Sequence, residues 1–374
     1  MAELVAIDLI AGDAFVTAVR RCWDRGDAVL PIDQRLPAAT RQDLLDEMRP
    51  TAIIDGDGER LLRDGRPADD GDALVMPTSG STGRPKGVVL THAAIEASAR
   101  ATAARIGTHP ADHWLACLPV SHIGGFSVLT KAWSAGTPLT VLPGFDVDAV
   151  ESAARSGATL VSLVATALRR IDPTLFRVIV LGGSRPPADR PANAIATYGM
   201  TETGSGVVYD GVPLDGVDVR IDAEGEVLLR GPMLLRCYRD GTTPLDDEGW
   251  LHTGDLGHWR DDGRLHVAGR RGDLIITGGE NVWPDAVEAA LASHPGVNDV
   301  AVAGVDDPEW GQRVVAWIVP AVGSTPTLDG IRAHARETLP AYAAPKQIVI
   351  VSSIPRTTLG KVVRASLTVP STAG

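Results

Sequence analysis

The sequence predicts an α/β protein. A large N-terminal α/β domain carries a β-rich subdomain, and a small α+β C-terminal domain follows. Three observations support this. Strand-like and helix-like segments alternate from residue 73 to 181, the pattern of an α/β domain. Between 205 and 269 the strands shorten and glycine punctuates them, as in GEVLLRG and GRLHVAG. After Gly269 the pattern restarts with its own apolar faces over about 100 residues, enough for a separate small domain.

The elements follow in order. Residues 14–23 space their apolar side chains by three and four, as a helix does. Residues 28–32 read as a short strand, 40–48 as a helix with Thr40 as N-cap, and 52–54 as a strand. A polar, Gly/Asp-rich surface segment fills 55–72. Strand 73–76 runs into a loop of glycine, serine and threonine, and a helix follows at 91–106. Strands are expected at 114–118, 139–142, 160–164 and 177–181, with a helix at 148–156. In the last domain, strands at 274–277, 297–305, 313–319 and 347–351 alternate with helices at 284–293 and 328–338.

Composition narrows the function. The chain of 374 residues has 35 Lys+Arg against 47 Asp+Glu, a net charge of −12. A nucleic-acid footprint needs a basic face, so nucleic acid is not an expected partner. A small anion such as ATP needs only a local basic, N–H-rich pocket. The three cysteines are far apart, with no C-x-x-C. That excludes a disulfide framework from the expectation and points to a reducing compartment. The first ten residues include Glu3 and Asp8 and lack the basic flank and apolar core of a secretory signal. No run has the roughly 18 apolar residues of a membrane span. A cytoplasmic location without a membrane span is the expectation. Only Lys86, Lys131, Lys346 and Lys361 are lysines, which draws attention to each.

The densest chemical signal is Thr78-Ser79-Gly80-Ser81-Thr82-Gly83-Arg84-Pro85-Lys86-Gly87. Glycines let the backbone approach an anion and turn N–H groups toward it. The hydroxyls of Thr78, Ser79, Ser81 and Thr82 add donors, and Lys86 adds a compact positive charge. The segment reads as a phosphate cradle. It is not a G-x-x-x-x-G-K-[ST] loop, because Pro85 stands where the second glycine would be.

This loop resembles the phosphate loop of the adenylate-forming enzymes: acyl-CoA synthetases, adenylation domains and luciferases. Further motifs resemble theirs in the same order. They are Gly182-Gly183-Ser184; Tyr198-Gly199-Met200-Thr201-Glu202-Thr203; Gly249-Trp250-Leu251-His252-Thr253-Gly254-Asp255; Gly269-Arg270; Gly278-Gly279-Glu280-Asn281; and Pro355-Arg356-Thr357-Thr358-Leu359-Gly360-Lys361. The resemblance spans residues 74–364. It implies an N-terminal adenylation domain over 1–269 that binds ATP and the acid, a hinge at 270–272 and a mobile C-terminal domain over 273–374. ATP, Mg²⁺ and CoA as co-substrate are implied with it.

Each motif also has a physical reading. Tyr198 offers a flat face for adenine, on the turn set by Gly199 and Met200. Glu202 beside hydroxyls suits Mg²⁺, and Thr201 can donate to a phosphate oxygen. Asp255 can accept from two ribose hydroxyls, and Arg270 can reach ribose or phosphate with a planar fork. Attack of a carboxylate on the α-phosphorus builds negative charge, which a lysine between the groups would stabilise. The family gives that role to the lysine matching Lys361. Rotation at the hinge is implied to withdraw that lysine and to bring Gly278 and Gly279 to a pantetheine tunnel. Gly272 departs from the charged residue often found there.

The acid is the next question. The short stretch before the phosphate loop, together with LPVSHIGG and RGDLIITGGEN, resembles the o-succinylbenzoate–CoA ligases of menaquinone biosynthesis. His122 matches that subfamily's acid-pocket histidine. Arg170 (with Arg169) is a candidate partner for a second carboxylate, and Ser205 is a candidate acid contact. The expected function is ATP-dependent ligation of a small carboxylic acid, o-succinylbenzoate, to CoA. Another aryl- or acyl-CoA synthetase, or an enzyme loading a carrier protein, stays open as the alternative. A homodimer is compatible with the sequence.

Overall fold

A computed structural model describes residues 2–79, 85–183, 186–187, 189–356 and 362–370, with Ser79 described by its backbone alone. Gly80, Ser81, Thr82, Ser184 and Lys361, and the Ser79 side chain, lie outside the described residues.

The first sheet contains β1 (Leu4–Ile7), β2 (Ala28–Pro31), β3 (Ala52–Asp55), β4 (Gly58–Leu61), β5 (Asp72–Ser79) and β6 (Pro85–Thr91). Their order is β6-β5-β2-β1-β3-β4, and Cys237–Tyr238 extends the β6 edge. Strands β1 and β2 are parallel and wholly buried. This explains their unbroken apolar runs, because helices cover a parallel sheet on its faces. Helix α1 (Asp13–Asp24) buries Phe15, Ala18, Val19 and Cys22.

The second sheet contains β7 (Trp114–Ala116), β8 (Leu139–Val141), β9 (Leu160–Val164), β10 (Val178–Gly182), β11 (Ala194–Met200), β12 (Ser205–Tyr209) and β13 (Val212–Pro213). Their order is β13-β12-β11-β10-β9-β7-β8. Strands β8, β7, β9, β10 and β11 are mutually parallel, and β12 returns antiparallel to β11. Helix α5 (Val147–Arg155) and Leu163, Ile179 and Leu181 share one apolar cluster with Phe176. In such sheets ligands bind outside the carboxyl ends of the parallel strands. Those ends lead here into Pro119–His122, Gly182-Gly183 and Met200–Glu202.

Three sequence expectations need correction. Thr40 does not cap its helix: α2 (Ala38–Met48) begins after Pro37, whose φ of −54° presets the entry. The phosphate loop does not lead directly into a helix. It joins β5 to β6 in an antiparallel hairpin, with Thr78 opposite Lys86. Helix α3 (His92–Ile106) comes only after β6; Thr91 is its N-cap, accepting from the Ala94 amide at 3.1 Å. The third difference is an omission, the largest of several that include β1, β4 and β6. Helix α4 (Ile123–Ala135) has buried residues on nearly every face, so no 3.6-residue apolar stripe marks it in the sequence.

Packing divides the chain into two compact units. One comprises 1–220, 228–252 and 261–265; the other comprises 221–227, 253–260 and 266–374. The second unit has a sheet in which Val297–Asp307 pairs antiparallel with Gly311–Pro320, which pairs parallel with Gln347–Ile350. Val287 and Leu291 of one helix and Ile331 and Ala335 of another join Val302, Val314 and Ile318 in its core. The short strands Asp218–Ile221, Glu226–Arg230, Leu251–Trp259 and Leu265–Arg270 account for the Gly-punctuated region. Among the described residues, no helix is long and apolar enough to cross a membrane.

Candidate active site

The segments of the first unit expected to meet a nucleotide are built on tight turns. Gly183 has φ +84°, a left-handed conformation that disfavours side chains. Gly199 is required by proximity: a Cβ there would lie 2.3 Å from the Ser205 carbonyl. A β-bulge between Tyr198 and Gly199 shifts the register with β12. Such bulges re-aim side chains next to functional sites. Tyr198, Met200, Thr201 and Glu202 are half-buried. The Thr203 hydroxyl accepts from the Met200 amide at 2.9 Å and donates to the Ser205 carbonyl at 2.6 Å. One short turn therefore fixes Glu202 and delivers Ser205.

Lys86 and Glu202, far apart in sequence, meet around one tyrosine. The Tyr238 hydroxyl donates to Glu202 Oε1 at 3.0 Å, and Lys86 Nζ stands 4.7 Å from the Tyr238 ring centroid. Sequence reasoning missed Tyr238. Its signal was weak, a lone tyrosine on a two-residue edge strand. Thr78 Oγ1 donates to the Lys86 carbonyl at 3.3 Å, which ties the two ends of the phosphate hairpin together.

Asp255 and Arg270 belong to the second unit, and there they meet. Arg270 Nε lies 2.8 Å from Asp255 Oδ1, and its Nη1 donates to the Thr253 carbonyl at 3.0 Å. Asp255 is buried and Arg270 more exposed, so the pair presents a carboxylate whose charge is already partly balanced. Gly278 and Gly279 both have positive φ, at the turn of the hairpin that pairs Ile275–Thr277 with Glu280–Val282. The Gly278 amide donates to the Trp310 carbonyl at 2.8 Å.

Next to Ser205 the first unit holds a lysine to which sequence reasoning assigned no role in the site. Lys131, on α4, is 3% exposed. Its ammonium donates to Ser205 Oγ at 2.8 Å and to Ser127 Oγ at 3.2 Å. Among the described residues it has no carboxylate partner, and burial alone pushes its pKa down to about 7. A buried cation held by two neutral hydroxyls is costly to keep, which points to a ligand that repays it. Its scarcity as one of four lysines was the available signal; the unrecognised helix hid its direction.

His122 stands at the start of α4, with Nε2 3.6 Å from Asp33 Oδ2. Burial holds its pKa below the ordinary histidine value, with Asp33 opposing the shift. The ring is therefore mostly neutral at pH 7. Arg170 goes elsewhere. It is exposed, with its guanidinium carbon 5.1 Å from the Phe145 ring centroid. Among the described residues it shares no hydrogen bond or ion pair with His122, Lys131 or Ser205.

Comparison with known proteins decides the family. Residues 60–239 match the AMP-binding enzyme family, and residues 286–361 match the AMP-binding enzyme C-terminal domain. A probable 2-succinylbenzoate–CoA ligase of Mycobacterium tuberculosis is 44% identical over 332 residues, covering 82% of this chain and 86% of the relative. This chain belongs to the AMP-binding enzyme family. The 2-succinylbenzoate–CoA ligase of Bacillus anthracis is 35% identical over 78% of this chain and 69% of its own length. Among solved structures, o-succinylbenzoate CoA synthetase of Bacillus subtilis, in complex with the acyl-adenylate intermediate, superposes with a TM-score of 0.86 at 27% identity. That match covers 97% of this chain and 87% of the other. The same enzyme with ATP and a magnesium ion gives a TM-score of 0.85 at 28% identity, covering 98% of this chain and 89% of the other. Among AMP-binding enzymes these matches support an α/β adenylate-forming fold with a large N-terminal part and a smaller C-terminal one.

Proposed function

We propose that this AMP-binding enzyme activates o-succinylbenzoate with ATP to an acyl adenylate, and then transfers the acyl group to CoA. In the first half-reaction a carboxylate oxygen attacks the α-phosphorus, and the bond to the β-phosphate oxygen breaks to release pyrophosphate. In the second, the CoA thiolate attacks the acyl carbon and AMP leaves. A cytoplasmic location and a place in menaquinone synthesis belong to the same reading.

The observation that carries the choice of acid is Lys131. o-Succinylbenzoate has two carboxylates, and only one reacts. The other needs a cation, and Lys131 is a buried cation without a carboxylate partner among the described residues, held by Ser205 beside the nucleotide turn. We assign the second carboxylate to Lys131 and Ser205, with neutral His122 as a wall of the acid pocket. Arg170 is not needed for this role.

The remaining roles extend the same proposal. Tyr198 and the Gly182-Gly183 turn take the adenine. Lys86, Thr78 and Thr201 face the phosphates, and Asp255 with Arg270 takes the ribose. Glu202 fits a magnesium ion: Oε1 already accepts from Tyr238, and Oε2 has no hydrogen bond among the described residues. The ion would neutralise phosphate charge as pyrophosphate departs. Replacing Glu202 with glutamine is therefore expected to raise the Mg²⁺ concentration for half-maximal activity roughly ten-fold. A magnesium titration at saturating ATP checks this, and an unchanged curve would remove Glu202 from the metal site.

The hinge is also a proposal. Gly272 lies in the 3₁₀ turn Arg271–Asp273, outside positive φ and with open space where a Cβ would sit. This conformation does not demand glycine there, and the hinge reading rests on the family resemblance alone.

The decisive experiment is CoA-dependent AMP release with ATP, Mg²⁺ and a panel of o-succinylbenzoate, benzoate, succinate and fatty acids. Strong turnover with o-succinylbenzoate alone is expected. Preference for benzoate or fatty acids would keep the ligase and overturn the acid. Adenylate formation without CoA-dependent release would favour a carrier-loading enzyme.

A further inference from the structure

A second basic feature adjoins the phosphate hairpin and shares Lys86 and Tyr238 with the site above. The start of β6, the end of α2 and the segment after Cys237 enclose a cleft of about 230 Å³. Four cations line it, Arg49, Arg66, Lys86 and Arg239, against two carboxylates, Glu47 and Asp240. In a chain of net charge −12 this is a local reversal of sign.

The cations are held mainly by carbonyl groups, although Asp240, whose pKa its Thr242 hydrogen bonds lower, lies close enough for the charges of Lys86 and Arg66 to help lower it. Arg49 donates through Nε and Nη2 to the Asp64 carbonyl at 3.0 and 2.7 Å. Arg239 donates to the carbonyls of Met48 at 3.0 Å and Pro67 at 2.9 Å, and also to that of Arg66. Arg66 donates to the Arg239 carbonyl. Lys86 rests on the Tyr238 ring. Among the described residues, none of the four forms a salt bridge. By contrast, Arg25, Arg35, Arg177 and Arg236 of the same unit hold carboxylates at 2.5–2.8 Å. One oxygen of Asp240, Oδ1, is engaged by its own turn, accepting from the Thr242 amide at 2.8 Å and hydroxyl at 2.6 Å, so four cations still face two carboxylates. Arg239 is 7% exposed, and burial pushes its pKa down to about 10, which leaves it charged at neutral pH. Carbonyl dipoles orient these groups while their charge stays available to an anion.

We propose that this cleft binds inorganic pyrophosphate, the leaving group of adenylation, next to Lys86. The inference rests on the adenylation reading. Lys86 would belong to both sites, so pyrophosphate leaving the nucleotide could pass to Arg49 and Arg66 without losing its cationic partner. A diphosphate carries more charge than a carboxylate or a single phosphate monoester, which suits a cleft with four cations.

The test uses the full chain and sodium pyrophosphate with Mg²⁺, titrated by calorimetry without acid or ATP, so its reading does not depend on the identity of the acid. Arg49→Gln and Arg66→Gln are each expected to weaken pyrophosphate binding roughly ten-fold. Each should also raise the KM for pyrophosphate in ATP–pyrophosphate exchange by a similar factor. The KM values for ATP and CoA should stay within about two-fold. Arg49→Lys and Arg66→Lys keep the charge and should stay near the wild type, which separates the anion site from a folding defect. Unchanged pyrophosphate affinity in folded glutamine variants would overturn the proposal. So would a raised KM for CoA with pyrophosphate affinity intact, which would give the cleft to the CoA diphosphate. If exchange fails with o-succinylbenzoate but the titration behaves as expected, the acid is wrong and the pyrophosphate site stands.

Discussion

Replacing Lys131 with methionine is expected to raise the KM for o-succinylbenzoate by roughly two orders of magnitude. The estimate follows from about 3 kcal/mol for removing one partner of a buried charged pair. Adenylation of benzoate, which has no second carboxylate, should change little. Steady-state pyrophosphate release with both acids measures the contrast. Equal losses on both would mean that Lys131 supports the fold of α4 and not the acid.

The same lysine gives a pH signature. With its pKa pushed down to about 7, Lys131 loses its charge across neutral pH in the free enzyme. kcat/KM for o-succinylbenzoate should therefore fall as pH rises above 7. Arg at this position stays charged throughout, so Lys131→Arg should flatten that limb if it retains binding. Stability carries the complementary sign. The folded pKa lies below the unfolded value near 10.4, so between about pH 7 and 10 the unfolded chain binds more protons. Stability from this group therefore rises with pH over that window, and its burial penalty is complete below about pH 7. Lys131→Met should raise the Tm most at pH 6 and least at pH 10. Melting curves at the two pH values check this, and a uniform shift would contradict it.

The second large effect is expected at Lys361. We propose this lysine as the group that stabilises negative charge as the acid attacks the α-phosphorus, on the strength of the Pro355–Lys361 motif. Lys361→Ala should slow adenylate formation by roughly 10²–10³-fold, the size of effect seen when one preorganised transition-state donor is lost. Thioester formation from preformed acyl adenylate should remain within a few-fold of wild type. A single-turnover experiment from each starting point separates the steps. Normal adenylation in the alanine variant would remove Lys361 from the mechanism, and equal loss in both halves would indicate a structural role.

Much of the α/β fold was legible because local chemistry carries it. Parallel strands covered on both faces, such as Leu4–Ile7 and Val178–Gly182, must be continuous apolar runs, although the first was short enough to escape notice. The glycines of the Gly182-Gly183 and Tyr198–Met200 turns were visible because positive φ or close backbone approach admits little else. Helix α4 was not legible. Its apolar residues face protein all round, and Gly124 and Gly125 near its start resemble a loop.

The acid side shows the division most clearly. Motif resemblance marked His122 and, by its place after the Tyr198–Thr203 motif, Ser205; the motifs also placed the phosphate loop, Glu202 and Lys361 in an order that predicts adenylation. Residue type offered Arg170, because an arginine is a good carboxylate partner wherever it stands. Tertiary structure put Arg170 in solvent against Phe145 and Lys131 inside against Ser205. It likewise gathered Lys86, Tyr238 and Glu202 around one ring, from positions up to 152 residues apart (86 to 238). The physical reason is that backbone chemistry is local, so turns, strands and motifs can be read along the chain. Burial and partnership of a charge depend on segments that meet only when the sheets and helices have packed.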